Sequence, residues 1–345
     1  MRRAWLSGAA VALAAAVLAL PLTLAACGSS ETNPPPAEPT DSPPLGPRPA
    51  GTVIPLGGEA EGVVVDSETG LAAVSLRDPD RIDLVDVGKA VIVDEVATPD
   101  SARHLSLAGP GGPVLAPIEY EDTLLQITLP DGKVTPSPTG DFPHDAASAP
   151  SGRIFVGDEG GDTITVLEDA AIADTLPAPE QPGGVAVGGG LLAVVAVAAR
   201  EVAFYDTETL AQVAVLPGGA GPSHVVAGED GRFYVTDTGG DAILVYEGLN
   251  EDGDPPRLLD RTNLPGGPYG IAIDEKRERL WVTCTAANRV VELEITDLAP
   301  KIIDSFPTVR QPNSVGVDGR TGRLVVAARD GDLQIFDPER ERGQP

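Results

Sequence analysis

Short apolar runs alternate with turn-rich clusters of Gly, Asp and Pro along most of this chain. Residues 221–248 show the unit most clearly. They contain three apolar runs, Val225–Ala227, Phe233–Thr236 and Ile243–Tyr246, which are separated by acidic, glycine-containing turns. Runs rich in β-branched and aromatic residues, bounded by Gly and Asp, are typical of short antiparallel strands joined by tight turns.

The same unit recurs seven times. Its first strand starts at intervals of 39 to 46 residues, at Val63, Leu105, Ala146, Val185, Val225, Ile271 and Val315. A period near 40 residues, with short strands and no helical periodicity, indicates a β-propeller of four-stranded blades. The pattern therefore predicts an all-β fold, a seven-bladed β-propeller over residues 51–340.

The seventh unit lacks an outer strand, because only a short charged tail (residues 341–345) remains after it. Gly51–Leu56 precedes the first unit and has the composition of a strand. Pairing this segment beside Leu333–Phe336 would close the ring, and Pro55 suits an outer strand that needs no further N–H donor. A closed ring offers no long sheet edge to a second copy, so we expect a monomer.

Three segments resemble the YVTN repeat, in which Tyr-Val-Thr-Asn precedes a Gly-rich turn and a Val-rich strand. They begin at Phe233 (Phe-Tyr-Val-Thr-Asp-Thr-Gly-Gly-Asp), at Leu280 (Leu-Trp-Val-Thr-Cys-Thr) and at Ile154 (Ile-Phe-Val-Gly-Asp-Glu-Gly-Gly-Asp). The resemblance implies a propeller similar to NHL-like and lactonase-like proteins, and it concerns the fold more than the function. Blade 2 departs most from the repeat, with a run of acids at Glu119–Asp122.

The N-terminus has the order of a bacterial lipoprotein signal. Arg2-Arg3 is followed by an apolar run that ends in Leu24-Ala25-Ala26-Cys27-Gly28. This ending resembles a lipobox, which implies a signal peptide over residues 1–26 and a lipid on the thiol of Cys27. The alternative is an uncleaved transmembrane anchor, since the run is long enough to span a membrane.

Residues 27–50 are rich in Pro and poor in apolar side chains. Such a composition cannot bury a core, so it predicts a disordered, extended tether. Lipid, tether and domain together predict a bacterial protein anchored to the cell membrane through Cys27, on the extracytoplasmic face.

The formal charge of −28, from 52 acidic and 24 basic residues, excludes nucleic acid as a first choice of partner. Binding the phosphate backbone requires a basic surface. Most of the acids fit structural roles. Six Asp residues follow strands and are predicted to accept hydrogen bonds from the next turn: Asp66, Asp274, Asp318, Asp86, Asp206 and Asp337.

The three His residues of the chain fall at one place in the repeat. His104 and His224 immediately precede first strands, and His144 lies one residue from that position, beside Asp145. In a propeller this position lies at one mouth of the central channel. Second strands end at the same mouth, where folding each hairpin about its turn would set His224 opposite Asp237 and Asp145 opposite Asp158.

The predicted channel-mouth residues are therefore His104, His144, Asp145, Asp158, His224 and Asp237. A His–carboxylate group can bind a divalent metal or perform acid–base catalysis. His104, His224 and Asp237 are the predicted metal ligands, and a polar rim with satisfied hydrogen bonds is the alternative interpretation.

Two functions are compatible with this pattern. The first, which we favour, is a binding or scaffolding module for a protein or small-molecule ligand. The second is a metal-assisted propeller enzyme, lactonase-like or streptogramin-lyase-like, with its site at the channel mouth.

Overall fold

The computed structural model describes Met1 and residues 37–249 and 253–342. In these residues, 28 strands form seven four-stranded antiparallel sheets, which are the blades of a β-propeller. This confirms the predicted fold class and blade number. Residues 2–36 lie outside the described residues. They include the predicted signal peptide after Met1, and Cys27. Within the described part of the chain, no helix has the length and apolar character needed to span a membrane.

Strands are numbered in chain order. The inner strands, which line the channel, are β2 (Glu59–Asp66), β6 (Ser106–Leu107), β10 (Pro143–Ser148), β14 (Pro182–Gly188), β18 (Pro222–Ala227), β22 (Pro268–Asp274) and β26 (Pro312–Val317). The second strands are β3 (Leu71–Arg77), β7 (Val114–Ile118), β11 (Ile154–Asp158), β15 (Leu191–Ala196), β19 (Arg232–Asp237), β23 (Arg279–Cys284) and β27 (Leu324–Ala328).

The third strands are β4 (Arg81–Asp86), β8 (Thr123–Ile127), β12 (Thr163–Glu168), β16 (Glu201–Asp206), β20 (Ala242–Glu247), β24 (Arg289–Glu294) and β28 (Asp332–Phe336). The outer strands are β1 (Thr52–Pro55), β5 (Val91–Ala97), β9 (Val134–Pro138), β13 (Ala171–Pro177), β17 (Gln212–Pro217), β21 (Arg257–Asn263) and β25 (Lys301–Pro307). Short 3-10 turns cover Glu119–Glu121, Thr238–Gly240, Glu275–Arg277 and Thr285–Ala287, and helix α1 covers Pro338–Glu341.

The first strand of the domain closes the ring, as the sequence predicts. β1 pairs antiparallel with β28, with Thr52 opposite Ile335 and Pro55 opposite Asp332. β1 is the outer strand of blade 7, so its free edge has no partner strand. Pro55, which lacks an N–H, is therefore tolerated there. The next residue, Leu56, is buried in the cluster that joins blades 1 and 7.

Apolar side chains fill the spaces between neighbouring blades. Phe204 of blade 4 contacts Phe233 and Tyr246 of blade 5, with ring centroids 5.4 and 5.8 Å apart. The Tyr246 hydroxyl donates to the carbonyl of Pro217 in blade 4 at 2.6 Å. Burying a side chain of this size contributes about 1.5–3 kcal/mol, and its hydroxyl is satisfied. Packing of this kind fixes the spacing of the blades around the channel.

The six predicted turn-capping Asp residues all accept hydrogen bonds from the following turns. The backbone N–H donors are Thr69 for Asp66, Lys89 for Asp86, Thr209 for Asp206, Arg277 for Asp274, Arg320 for Asp318 and Glu339 for Asp337. These carboxylates thus stabilise the hairpins, and they lie away from the channel mouth.

Residues 37–50 differ from the sequence prediction of a disordered tether. Ser42 is buried, its N–H donates to Oε1 of Gln311 at 2.8 Å, and its hydroxyl donates to the carbonyl of Thr285 at 2.6 Å. The Asn288 side chain donates to the carbonyl of Pro43 at 2.8 Å. Composition alone missed this segment because its few polar groups bind a distant part of the chain.

The other end of the chain also packs on the ring. α1 follows β28, and Arg342 behind it donates to Oδ2 of Asp304 at 3.1 Å and contacts the buried carboxylate of Glu292. Its guanidinium lies 5.9 Å from the centroid of the Phe306 ring. Arg342, which the sequence places in the tail, is therefore attached to blade 6.

Ring closure can be tested at the buried residue behind β1. We expect Leu56→Ala to lower the free energy of unfolding by about 2–5 kcal/mol, because the variant loses buried surface and leaves a cavity. Val53→Ala on β1, where Val53 is exposed, is the matched control and should change it by less than about 0.5 kcal/mol. Equal urea midpoints for both variants and the native chain would show that closure adds no stability.

Candidate functional site

A β-bulge near the start of the inner strand recurs in every blade except blade 2. Five of these inner strands begin with a proline: Pro143, Pro182, Pro222, Pro268 and Pro312. A proline is tolerated at the first position of a strand, and a bulge turns the following side chains out of the regular alternation. The bulges therefore decide which residues face the channel mouth.

The predicted hairpin register is wrong at the mouth. Asp237 lies opposite Pro222 instead of His224, and Asp158 lies opposite Pro143 instead of Asp145. The regular part of each hairpin already pairs one residue away from the prediction, and the extra residue of the bulge adds a second shift beyond it.

Asp237 and Asp158 stabilise loops. Oδ1 of Asp237 accepts hydrogen bonds from the N–H groups of Ala220 and Gly221 at 2.9 and 2.8 Å. Oδ2 of Asp158 accepts from the hydroxyls of Thr163 and Thr165 at 2.9 and 2.8 Å, and burial raises the pKa of Asp158 to about 6. Both oxygens of Asp158 and Oδ1 of Asp237 are thus already engaged within the protein.

Asp145 lines the channel but joins two inner strands. Its carboxylate accepts the N–H of Ala146 at 2.8 Å and the N–H of Val185 in blade 4 at 2.9 Å. Burial raises its pKa to about 6 in spite of these bonds. Ser314 has the same role between blades 7 and 1, where its hydroxyl oxygen accepts the N–H of Val63 at 3.1 Å. Asp145 therefore holds the rim of the channel in place.

The three predicted His residues do come together. The His104 ring lies between those of His144 and His224, with centroid distances of 4.7 and 4.5 Å. The Tyr269 ring contacts His224 edge-on at 4.5 Å. Side chains from blades 2, 3, 5 and 6 thus form a continuous row of rings at one end of the channel.

Glycines occupy the equivalent position in blades 1 and 6. A Cβ on Gly270 would lie 2.6 Å from the carbonyl oxygen of Asn313, and one on Gly62 would lie 2.8 Å from that of Arg103. Real Cβ atoms do not approach so closely, so these blades need glycine where their inner strand meets the next blade. The rim therefore carries rings on some blades and bare backbone on others.

Two further residues belong to the mouth and are not among those that the sequence pattern predicts. Glu119 and Glu159 are the first residues after second strands β7 and β11. Oε1 of Glu119 and Oε2 of Glu159 each lie 2.7 Å from Nδ1 of His144. Acids at the same place in neighbouring blades were the available signal, and in blade 3 that place is one residue beyond Asp158.

Different surroundings separate the pKa values of the three imidazoles. Burial alone would lower the pKa of His144, but the carboxylates of Glu119 and Glu159 raise it to about 9. Burial lowers the pKa of His224 to about 3, and the neighbouring cations add to the effect. Burial and the adjoining imidazoles likewise hold the pKa of His104 well below its ordinary value. At neutral pH the row therefore contains one imidazolium and two neutral imidazoles.

A cavity of about 270 Å³ lies between the inner strands below His104 and His224. The chain itself covers its mouth. Pro39 lies beside His104, His224 and Tyr269, and Glu38 forms an ion pair with Arg103 at 3.3 Å. Covering residues and rim together keep this end of the channel narrow.

Comparison with solved structures gives the fold and leaves the function open. The chain is similar to virginiamycin B lyase from Staphylococcus aureus (TM-score 0.66, 17% identity, covering 82% of this chain and 97% of that chain). It is also similar to Kuenenia stuttgartiensis hydrazine synthase (TM-score 0.69, 17% identity, 82% and 96%) and to a chain of the mitotic checkpoint complex (0.71, 11%, 94% and 99%). All share the propeller architecture.

No protein-family model matches the chain, and no curated protein matches it in sequence. At identities this low the neighbours identify an architecture that both enzymes and scaffolds use. What the mouth can do must therefore be inferred from its own residues.

Two of the three predicted metal ligands, His104 and His224, are brought together, with ring centroids 4.5 Å apart. Among the described residues, the one group of three His, Cys, Asp or Glu side chains whose ligand atoms converge is Glu119, His144 and Glu159. His104 and His224 adjoin this group, while Asp237 is held by loop N–H groups. The arrangement offers two carboxylates and an imidazole for a cation, and two neutral imidazoles for proton transfer.

The separation of the imidazole pKa values can be tested directly, because the chain contains three His. In the chelator-treated protein we expect ¹⁵N NMR to show His144 protonated until about pH 9 and His224 neutral down to about pH 3. His144→Gln should remove the high-pH transition and, because a neighbouring cation is lost, raise the pKa values of His104 and His224. Three transitions between pH 6 and 7 would contradict the described contacts.

Proposed function

We propose that the chain is an extracytoplasmic binding module that takes a small ligand or an extended protein segment at its channel mouth. The observation that carries this proposal is the cavity of about 270 Å³ beneath the row of rings. Nδ1 of His224 and Oδ1 of Asn313 are buried at this mouth and have no hydrogen-bond partner among the described residues. A strand-lined cavity with a few convergent polar groups is the usual form of a small-ligand site.

The covering segment supports the choice of an extended partner. Residues 40–43 lie on this face and are held by side chains of the propeller, with Gln311 donating to the carbonyl of Thr40 at 3.0 Å. Gln311 also accepts the N–H of Ser42 at 2.8 Å. Groups that hold the backbone of one extended segment can hold another of similar shape.

The proposed location is the outer face of a bacterial membrane, through a lipid on Cys27. It is supported by the order of basic residues, apolar run and lipobox-like ending at the N-terminus. Such a protein would expose the propeller outside the cytoplasm.

The lipid anchor can be tested in a bacterial host fed with an alkyne-labelled fatty acid. We expect the full chain to be labelled and to begin at Cys27 by mass spectrometry, because lipidation precedes cleavage at that residue. Cys27→Ser should lose the label, whereas Cys284→Ser, at the other Cys of the chain, should keep it. An unlabelled product that retains residues 1–26 would favour the transmembrane anchor.

Ligand binding can be tested by thermal denaturation with a panel of small organic acids, amines and sugars. A ligand at a hundred times its Kd stabilises the fold by about 2.7 kcal/mol, which raises the Tm measurably. We expect at least one class to raise the Tm of the native chain and of Val215→Ala, an exposed control on β17. His224→Ala should abolish the shift, and an equal shift in that variant would place the ligand elsewhere.

A metal-assisted propeller enzyme, lactonase-like or streptogramin-lyase-like, is the second candidate. The observation that favours it is the convergence of Glu119, His144 and Glu159 beside two neutral imidazoles. Virginiamycin B lyase and hydrazine synthase, two of the structural neighbours, bear the names of enzymes. This candidate requires a bound metal or a substrate that reaches the imidazoles.

A further inference from the structure

We propose that Glu119, His144 and Glu159 form a binding site for a first-row divalent cation, with Zn²⁺ as the best fit. The site differs from the predicted ligand set, with which it shares no residue. It also stands apart from the proposed ligand cavity, because its three side chains do not line that cavity. If the chain bound Zn²⁺ but no organic ligand, the metal site would be supported and the proposed function would be wrong.

The positions of the three ligand atoms are the first reason. Nδ1 of His144 lies 2.7 Å from a carboxylate oxygen of Glu119 and 2.7 Å from one of Glu159. A single Nδ1–H can donate to only one of these two oxygens, and neither contact meets the angle of a regular hydrogen bond. One imidazole nitrogen and two carboxylate oxygens that converge in this way can serve together as ligands of one cation.

The burial of these atoms is the second reason. Glu119 is 3% exposed and His144 is 8% exposed. Oε1 of Glu119 has no hydrogen-bond donor. A buried carboxylate oxygen without a donor costs free energy. A cation between the three atoms would satisfy Oε1 of Glu119 and Nδ1 of His144 together.

The donor set indicates the class of cation. One imidazole nitrogen with two carboxylate oxygens suits Zn²⁺, whereas Ca²⁺ prefers six or more oxygen ligands. The remaining oxygen of Glu159 accepts a hydrogen bond from Nε2 of Gln181 at 2.6 Å. Such an outer contact orients a metal-binding carboxylate. Water would complete the coordination.

The surrounding charges are compatible with a cation. The two glutamates carry two negative charges, and the nearest guanidinium, Arg103, is paired with Glu38 at 3.3 Å. Glu61 adds a further carboxylate to the same mouth, where it lies 3.7 Å from Arg77. Protonated His144 balances part of the negative charge of these two carboxylates. A divalent cation bound to neutral His144 would take over that role.

The test uses the full chain, extracted in detergent, treated with chelator and then titrated with ZnCl₂ by calorimetry. We expect one equivalent of Zn²⁺ to bind. Glu119→Gln and Glu159→Gln should each weaken binding by more than the roughly 10–100-fold that loss of an outer contact costs. Glu121→Gln, at an exposed acid of the same 3-10 turn as Glu119, is the matched control and should bind as the native chain does.

A second measurement needs no variant and is therefore independent of misfolding. Addition of ZnCl₂ to ¹⁵N-labelled native chain should shift the Nδ1 resonance of His144 and leave its Nε2 protonated. Absence of Zn²⁺ binding, or binding unchanged in both Glu variants, would overturn the proposal. A shift confined to His104 and His224 would overturn it as well, and would favour a site on the other rings.

Discussion

The pairing of β1 with β28 keeps the ring shut, and the geometry of the channel depends on it. Each inner strand is held by packing against the blades on both sides, so an open ring would leave two blades with one neighbour each. The rings of His104, His144 and His224 come from three different blades, and the His104 centroid lies less than 5 Å from each of the other two. Their contacts exist because closure fixes the distance of every blade from the channel axis.

The bulges give this regular ring an irregular mouth. Asp145 uses its carboxylate to hold the next inner strand, while its neighbour His144 reaches two glutamates on the ends of adjacent second strands. Burying two carboxylates beside one imidazole is costly unless the charges are compensated. Glu119, His144 and Glu159 form such a group at one point of the rim, whereas most other acids lie in turns.

Features that depend on period and turn chemistry were predictable from the sequence. The seven inner strands, the closing strand and the six turn-capping Asp residues follow from strand spacing and from the local hydrogen bonds of Asp. The meeting of three His residues also followed, because equivalent positions of a repeat face the same axis.

Features that depend on register or on long-range contacts were not predictable. Both hairpins turn one residue away from the predicted register, and a bulge of one extra residue then places Asp158 and Asp237 still further from their predicted partners. Glu119 was obscured because blade 2 departs from the repeat. Residues 40–43 look like a linker by composition, and their order comes from Gln311 and Asn288, far along the chain.

The glycines at the rim limit how the mouth could diversify. Any side chain at Gly62 or Gly270 would collide with the carbonyl of the following blade. New functional groups can therefore be introduced only on blades whose inner strands leave room, such as blade 7 at Ser314. For protein engineering and for natural selection alike, changes of specificity at this mouth must therefore come from the blades whose inner strands leave room for a side chain.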